Sequence, residues 1–181
     1  AQRRAVCLIP FCGYDSVPSD LLTLYAAKTL NRPIHTIDLY HSFQGQWSGG
    51  TIETLFSICD AHRTPATCHP FALNPPNTFT RSQIIRSKTI KKIQSLPALN
   101  GWSTPFIMAN INTKVVRRSH ALMAQNLQSY GDDFVYREHQ FHPHWLSAMG
   151  SQLQGMILTV LLHSAVKPWS RRLFPKPGQG P

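Results

Sequence analysis

The sequence predicts an α/β protein of the α+β kind, a mixed sheet with helices, and three observations carry that expectation. Residues 34–43 and 134–141 alternate apolar and polar side chains with the period of a half-buried strand. Residues 112–128 repeat apolar positions at helical spacing. The 181 residues hold 14 prolines and 10 glycines, and 42% are hydrophobic, so these runs are cut into short elements around a core of ordinary domain size.

Taken in order, residues 5–12 read as a buried strand that ends at Gly13. Ser19 or Asp20 can cap a helix over 20–30, with Leu21, Leu24 and Tyr25 on one face, and Asn31-Arg32-Pro33 stops it. In the strand 34–43, His35, Ile37, Leu39, His41 and Phe43 share one face. A flexible turn, Gln46-Trp-Ser-Gly-Gly-Thr51, feeds a helix over 52–60. Residues 61–82, rich in Pro, Thr, Asn and His, read as irregular, and the basic stretch 83–95 fits either a strand or an exposed helix. Pro105–Ile111 looks strand-like. The helix 112–128 follows, with Val116, His120, Met123 and Leu127 as its apolar stripe and Arg117 and Arg118 mostly off it. After the turn Gly131-Asp132-Asp133 and the strand 134–141, a long helix is expected over 145–166, broken by Pro168.

Charge is the compositional outlier. Eighteen Lys and Arg against eight Asp and Glu give a net +10. No acidic residue lies between Asp60 and Asp132, while nine basic residues do, from Arg63 to Arg118. A second cluster, Lys167, Arg171, Arg172 and Lys176, closes the sequence. Such a balance favours phosphate or anionic lipid. Nucleic acid is not expected, because few aromatics interleave the basic run 81–92 and no binding motif is present. Cys7, Cys12, Cys59 and Cys68 are too sparse for a disulfide scaffold, and reduced thiols point to an intracellular setting. No signal-peptide pattern is visible, and no apolar run reaches the ~20 residues of a membrane span.

Four places have chemical potential. The loop Gly13–Asp20 sets Asp15 beside Ser16 at a strand end, where α/β proteins place ligands; the alternative is a turn closed by an Asx-type bond. Ser48-Gly-Gly-Thr51 before a helix can bring backbone N–H groups to an anion, or simply be a flexible helix entry. Arg117-Arg118 suits a phosphate or carboxylate clamp, or a solvated face. Residues 153–166 followed by Trp169 and clustered arginines suit either contact with a membrane surface or a core helix with a basic exit. Neither Cys59, His62, Cys68 and His69 nor His139, His142 and His144 match a structural zinc spacing, so no metal is expected. No G-x-G-x-x-G and no G-x-x-x-x-G-K-[ST] occurs, so the sequence holds no nucleotide fingerprint.

Several segments, in order, resemble the saccharopine dehydrogenase-like oxidoreductases, the group that includes trans-acting enoyl reductases and lipid-droplet-associated members. They are Cys12-Gly-Tyr-Asp-Ser-Val-Pro-Ser-Asp20, Gly49-Gly-Thr51, Phe71-Ala-Leu-Asn-Pro75, the run Pro105–Ser119, Phe134-Val-Tyr-Arg-Glu138 and Pro175-Lys-Pro-Gly-Gln-Gly-Pro181. Tyr14 stands where Phe is usual, His120 where Asn is common, and Gln179 where Glu is expected. The resemblance implies a Rossmann domain binding NAD or NADP, followed by an α/β domain that completes the cleft. It implies that residues 1–15 are the last strand and loop of a truncated Rossmann domain. Residues 16–166 would be the substrate-side domain, and 167–181 a truncated basic tail rich in Pro and Gly.

By the same resemblance, Gly13, Tyr14, Asp15 and Ser16 would bind the cofactor near its nicotinamide. Gly49, Gly50 and Thr51, with Arg117, would meet a small hydrophobic or lipid-like substrate; no catalytic residue is implied. The expected function is the substrate-side part of an NAD(P)-dependent oxidoreductase, inactive and without cofactor as this fragment alone. The rival is a non-catalytic protein held on a membrane or lipid-droplet surface through 153–176.

Overall fold

The computed structural model describes residues 6, 7, 9–13, 16–42, 49–60, 65–88, 90–125, 129–162, 169, 172 and 174. Tyr14 and Asp15, the Gln46–Ser48 approach to the second helix and nearly all of the basic tail lie outside them. The elements run α1 (Val17–Leu30), β1 (Thr36–His41), α2 (Gly49–Asp60), α3 (Pro65–Cys68), α4 (Arg81–Arg86), β2 (Gln94–Leu96), β3 (Gly101–Pro105), α5 (Ala109–Ala124), β4 (Val135–His142) and α6 (Trp145–Leu161). The four strands form one mixed sheet in the order β1-β4-β3-β2, with β2 and β3 antiparallel. The expected α+β class is the one observed.

The chain divides into two compact units, each assembled from three stretches of sequence. The first comprises residues 1–40, 69–90 and 106–139. Its core is Ile34, Val116, Tyr130, Phe134 and Tyr136, with Leu24, Ile37, Leu39 and Met123 against them. Here α1 packs on α5. Gly131 is required by close approach: a Cβ there would sit 2.5 Å from the Ile34 carbonyl oxygen. That approach lets the Ile34 amide donate to the Tyr130 carbonyl at 2.7 Å. His120 is tucked beneath the same turn, its Nε2 3.1 Å from both Ser129 Oγ and the Gly131 carbonyl. A capping box starts α4: Thr80 Oγ1 accepts from the Gln83 amide at 3.1 Å, and Gln83 Oε1 accepts from the Thr80 amide at 2.8 Å.

The second unit comprises residues 41–68, 91–105 and 140–181. In it α6 packs on β3, and Phe56 meets Phe174 edge-on at 5.8 Å. Gly101 opens β3 because a Cβ would lie 2.4 Å from the Phe141 ring. Thr104 Oγ1 and His142 Nε2 bond at 2.9 Å.

Several expectations are corrected. The described part of 5–12 is not a strand: Ile9 is 70% exposed, and Phe11 has a φ of 60°. An apolar run becomes a strand only by pairing, and none of the four strands pairs with this one. The strand expected over 105–111 is β3, four residues earlier, and α5 begins at Ala109. Pro105 has no N–H for a ladder, and the apolar Phe106-Ile-Met108 is a turn into the helix. Residues 83–95 are partly helix (α4) and partly strand (β2), and α2 takes Gly49 and Gly50 into its first turn. Helix α1 starts at Val17, with Pro18 in its first turn, and its expected apolar face is only partly turned inward: Leu24 packs on the core, but Leu21 and Tyr25 are exposed while Ser19 and Thr23 are buried. The reason is the polar cluster that α1 covers.

Candidate active site

That cluster is built in the first unit around Glu138, a carboxylate 2% exposed in the middle of β4. Alternation along the strand turns Glu138 to the same side as Phe134 and Tyr136, into the core. A buried carboxylate survives only if its oxygens are met by donors. The Tyr136 phenol donates to Glu138 Oε1 at 2.7 Å, and Asn112 Nδ2 of α5 donates to Oε2 at 3.0 Å. Asn112 Oδ1 in turn accepts from Ser16 Oγ at 3.0 Å. Burial and the Glu138 charge both push the Tyr136 phenol far up, so it stays protonated, and the hydroxyls of Ser19 and Thr23 that border it act the other way.

The opposite side of Tyr136 is held by Arg117, which is only 4% exposed although the helical pattern set it off the apolar stripe. Its guanidinium donates to the carbonyls of Tyr136 and Pro70 at 2.9 Å each, and of Ser87 at 3.4 Å. It also lies 5.1 Å above the Phe71 ring. Burial lowers its pKa to about 10 and the Glu138 charge resists that, so Arg117 is a cation at neutral pH. Asn74 Nδ2 donates to the Arg117 carbonyl at 3.2 Å, and Arg118 donates to the Leu73 carbonyl. The pair thus anchors the Pro70–Asn74 segment to α5.

A second cluster joins β1 to β4. Arg137 grips Asp38 with both arms, Nε to Oδ1 at 2.6 Å and Nη2 to Oδ2 at 2.8 Å. His139 Nε2 stands 3.5 Å from Oδ1, and its ring stacks on Tyr40 at 5.2 Å. Burial raises the Asp38 carboxyl, but the hydrogen bonds from His139 and Arg137 and the Arg137 charge outweigh it and hold it at about 2. Nearby, Ser119 donates to Asp20 Oδ2 at 2.7 Å and ties α1 to α5, while burial raises the Asp20 carboxyl.

Of the residues singled out from sequence, Ser16 is buried and hydrogen-bonded into the Glu138 cluster, and Gly13 is exposed, with its carbonyl accepting from the Val17 amide at 3.2 Å. Arg117 reaches the same cluster through Tyr136. Gly49, Gly50 and Thr51 form the first turn of α2 in the other unit, where the Gly50 carbonyl accepts from Thr54 Oγ1 at 2.9 Å. Among the described residues no three His, Cys, Asp or Glu side chains gather as a metal site. Sequence reasoning missed Asn112, Tyr136 and Glu138. The readable signal was an acid on the apolar parity of an alternating strand, a place carboxylates occupy only when paired.

Comparison with known proteins gives one consistent result. The chain is 30% identical to the trans-acting enoyl reductase of Mycobacterium ulcerans over 94% of its length. It is 30% identical to that of Mycobacterium bovis over 96%, and 29% identical over 96% to a Mycobacterium tuberculosis protein provisionally given the same name. The chain is homologous to trans-acting enoyl reductases over most of its length. It spans just under half of theirs, 45% and 46% in the first two cases. No protein-family model matches the chain, and no solved structure does.

The Asp38 geometry predicts an acid-dependent loss of stability. A carboxyl held below its usual 3.8 stabilises the fold fully above that pH, and the contribution disappears as pH falls from 3.8 through about 2. D38N should therefore lower stability at pH 6 by about 1 kcal/mol, allowing for screening of a partly exposed pair. Urea midpoints of the two proteins should approach each other as pH falls through about 2 and converge only below it.

Proposed function

We propose that this chain is the substrate-side part of an NAD(P)-dependent oxidoreductase that reduces an enoyl group on a lipid-like or hydrophobic substrate. The observation that carries the reading is the homology to trans-acting enoyl reductases over 94–96% of the chain. A buried carboxylate wired through Asn112 to Ser16, at the end of the Gly13–Ser16 loop, adds to it, because polar networks of this kind hold residues in fixed orientation.

The residues present fit the nicotinamide end of such a cofactor better than its phosphates. Gly13 leaves open space, with nothing within 4 Å of where a Cβ would stand, so a flat ring edge can approach the backbone. Ser16 is buried and ties the end of the loop to Asn112. Arg117, the buried cation, is already spent on three backbone carbonyls, and no glycine fingerprint offers N–H groups to a pyrophosphate. When bound, NAD(P)H supplies the hydride. In this reading Gly13 is the described residue of the loop that would lie against the ring.

A second reading is favoured by α6. This helix carries no charged residue, and Trp145, Leu146, Met149, Leu153, Met156, Ile157 and Val160 are all exposed on it. At 100° per residue they fall within an arc of about 120°. The backbone carbonyl of Lys91 accepts from Gln152 in the middle of α6, so exposed Lys91 and Lys92 flank that face. An apolar stripe edged by cations suits an anionic membrane surface. No described helix is long and apolar enough to cross a membrane.

Calorimetric titration of the 181-residue chain with NADH and NADPH tests the first reading. No binding is expected in the micromolar range, and micromolar binding would overturn the assignment of the cofactor's phosphates elsewhere. For the second, flotation with phosphatidylserine-containing vesicles should carry the chain upward at low salt and fail for L153E/I157E. A chain that stays at the bottom of the gradient at low salt rejects the membrane reading.

A further inference from the structure

We propose that the exposed apolar face of α6 is an interface between two copies of this chain, closed by one α6 packing against the other along a heptad seam. Such a contact is independent of the oxidoreductase reading, and it needs a property of the face that membrane contact does not.

That property is the spacing. Leu146, Met149, Leu153, Met156 and Val160 are all exposed, and the steps between them are three, four, three and four residues. This is the a/d repeat of helices that pack on one another with knobs in holes. Trp145 and Ile157, also exposed, border the seam at its g and e positions. A helix lying in a membrane surface needs only a broad apolar sector, with no fixed 3-4 step. Two heptads are too few to hold isolated helices together. Here α6 is already built, since it packs on β3 with Ala148 fully buried, so pairing does not have to repay helix formation.

The area is that of an interface. The seven side chains are between 42% and 71% exposed and together present roughly 700 Å² of surface, against the ~800 Å² that each partner gives to a standard interface. A second copy matches the face on both sides: α6 carries no charged residue, so bringing two together along the seam buries no ion. An isologous contact then uses the same patch twice and asks for no further surface. What opposes it is the rest of the chain. A net +10 on each copy, with exposed Lys91 and Lys92 beside the middle of α6, repels across the contact. Salt screens that repulsion, so self-association should tighten as salt rises. Binding to an anionic vesicle must weaken under the same change.

Sedimentation equilibrium of the 181-residue chain at low and at high salt tests the interface. A dimer is expected at micromolar concentration, and it should be tighter at high salt. L153E sets an unpaired carboxylate at the centre of the seam in each copy and should weaken the dimer by about a hundredfold or more. Q154E places the same charge on an exposed position outside the apolar arc and should leave the dimer intact. K91Q/K92Q should tighten the dimer while weakening flotation with phosphatidylserine-containing vesicles. A wild type that stays monomeric at both salt concentrations overturns the proposal, and so does a dimer indifferent to L153E. A monomer that floats with vesicles assigns the face to a membrane alone and overturns it as well. The same measurement on the whole protein that carries this sequence separates the last occupant. A dimer formed by the 181-residue chain but not by the whole protein gives the face to the rest of that protein, which again overturns the proposal.

Discussion

A carboxylate with almost no solvent sits in the core of the first unit, and the arrangement around Glu138 is the consequence of keeping it charged there. An isolated buried charge costs several kcal/mol, so donors must be delivered to it from every side. Tyr136 comes from two residues earlier on the same strand, Asn112 from α5, and the countercharge from Arg117 one turn and a half along that helix. Arg117 in turn draws the carbonyls of Pro70 and Ser87 to α5, which places the segment between them. Helix α1 closes the cluster with Ser16, Ser19 and Thr23, and for that reason turns its polar side inward.

This explains why part of the molecule was legible from sequence and part was not. β1 and β4 were readable because Ile37, Leu39, Phe134 and Tyr136 follow the period of two that a half-buried strand imposes. The helix α5 was readable from Val116, His120 and Met123. Its arginine was misjudged because amphipathic patterning scores a cation as solvent-facing, whereas Arg117 is buried by pairing and by backbone carbonyls that no pattern encodes. The same rule put Leu21 and Tyr25 on one face with Leu24, but only Leu24 packs on the core, and Thr23 is buried. Hydrophobic periodicity assumes an apolar neighbour, and α1 has a polar one.

The candidate site divides in the same way. Ser16 could be found from sequence, since it follows a glycine in a loop before a proline-started helix. Its partners could not: Asn112 and Glu138 are 96 and 26 residues away along successive links, and only the fold joins them. The buried network ties Ser16 to Asn112 and Glu138. The exposed apolar arc of α6 belongs to the other unit. Both features spend stability on something other than packing, which is where function is to be sought.

The central claim is that Glu138 is a buried anion whose partners are organised around its charge. The most direct measurement is the equilibrium stability of Glu138→Ala in urea. Removing the carboxylate strands the Tyr136 hydroxyl and the Asn112 amide and leaves Arg117 without its countercharge. The account predicts a loss of about 3–5 kcal/mol, the range for breaking one partner of a buried charged pair. A variant within about 0.5 kcal/mol of wild type, the range of an ordinary surface substitution, would contradict it.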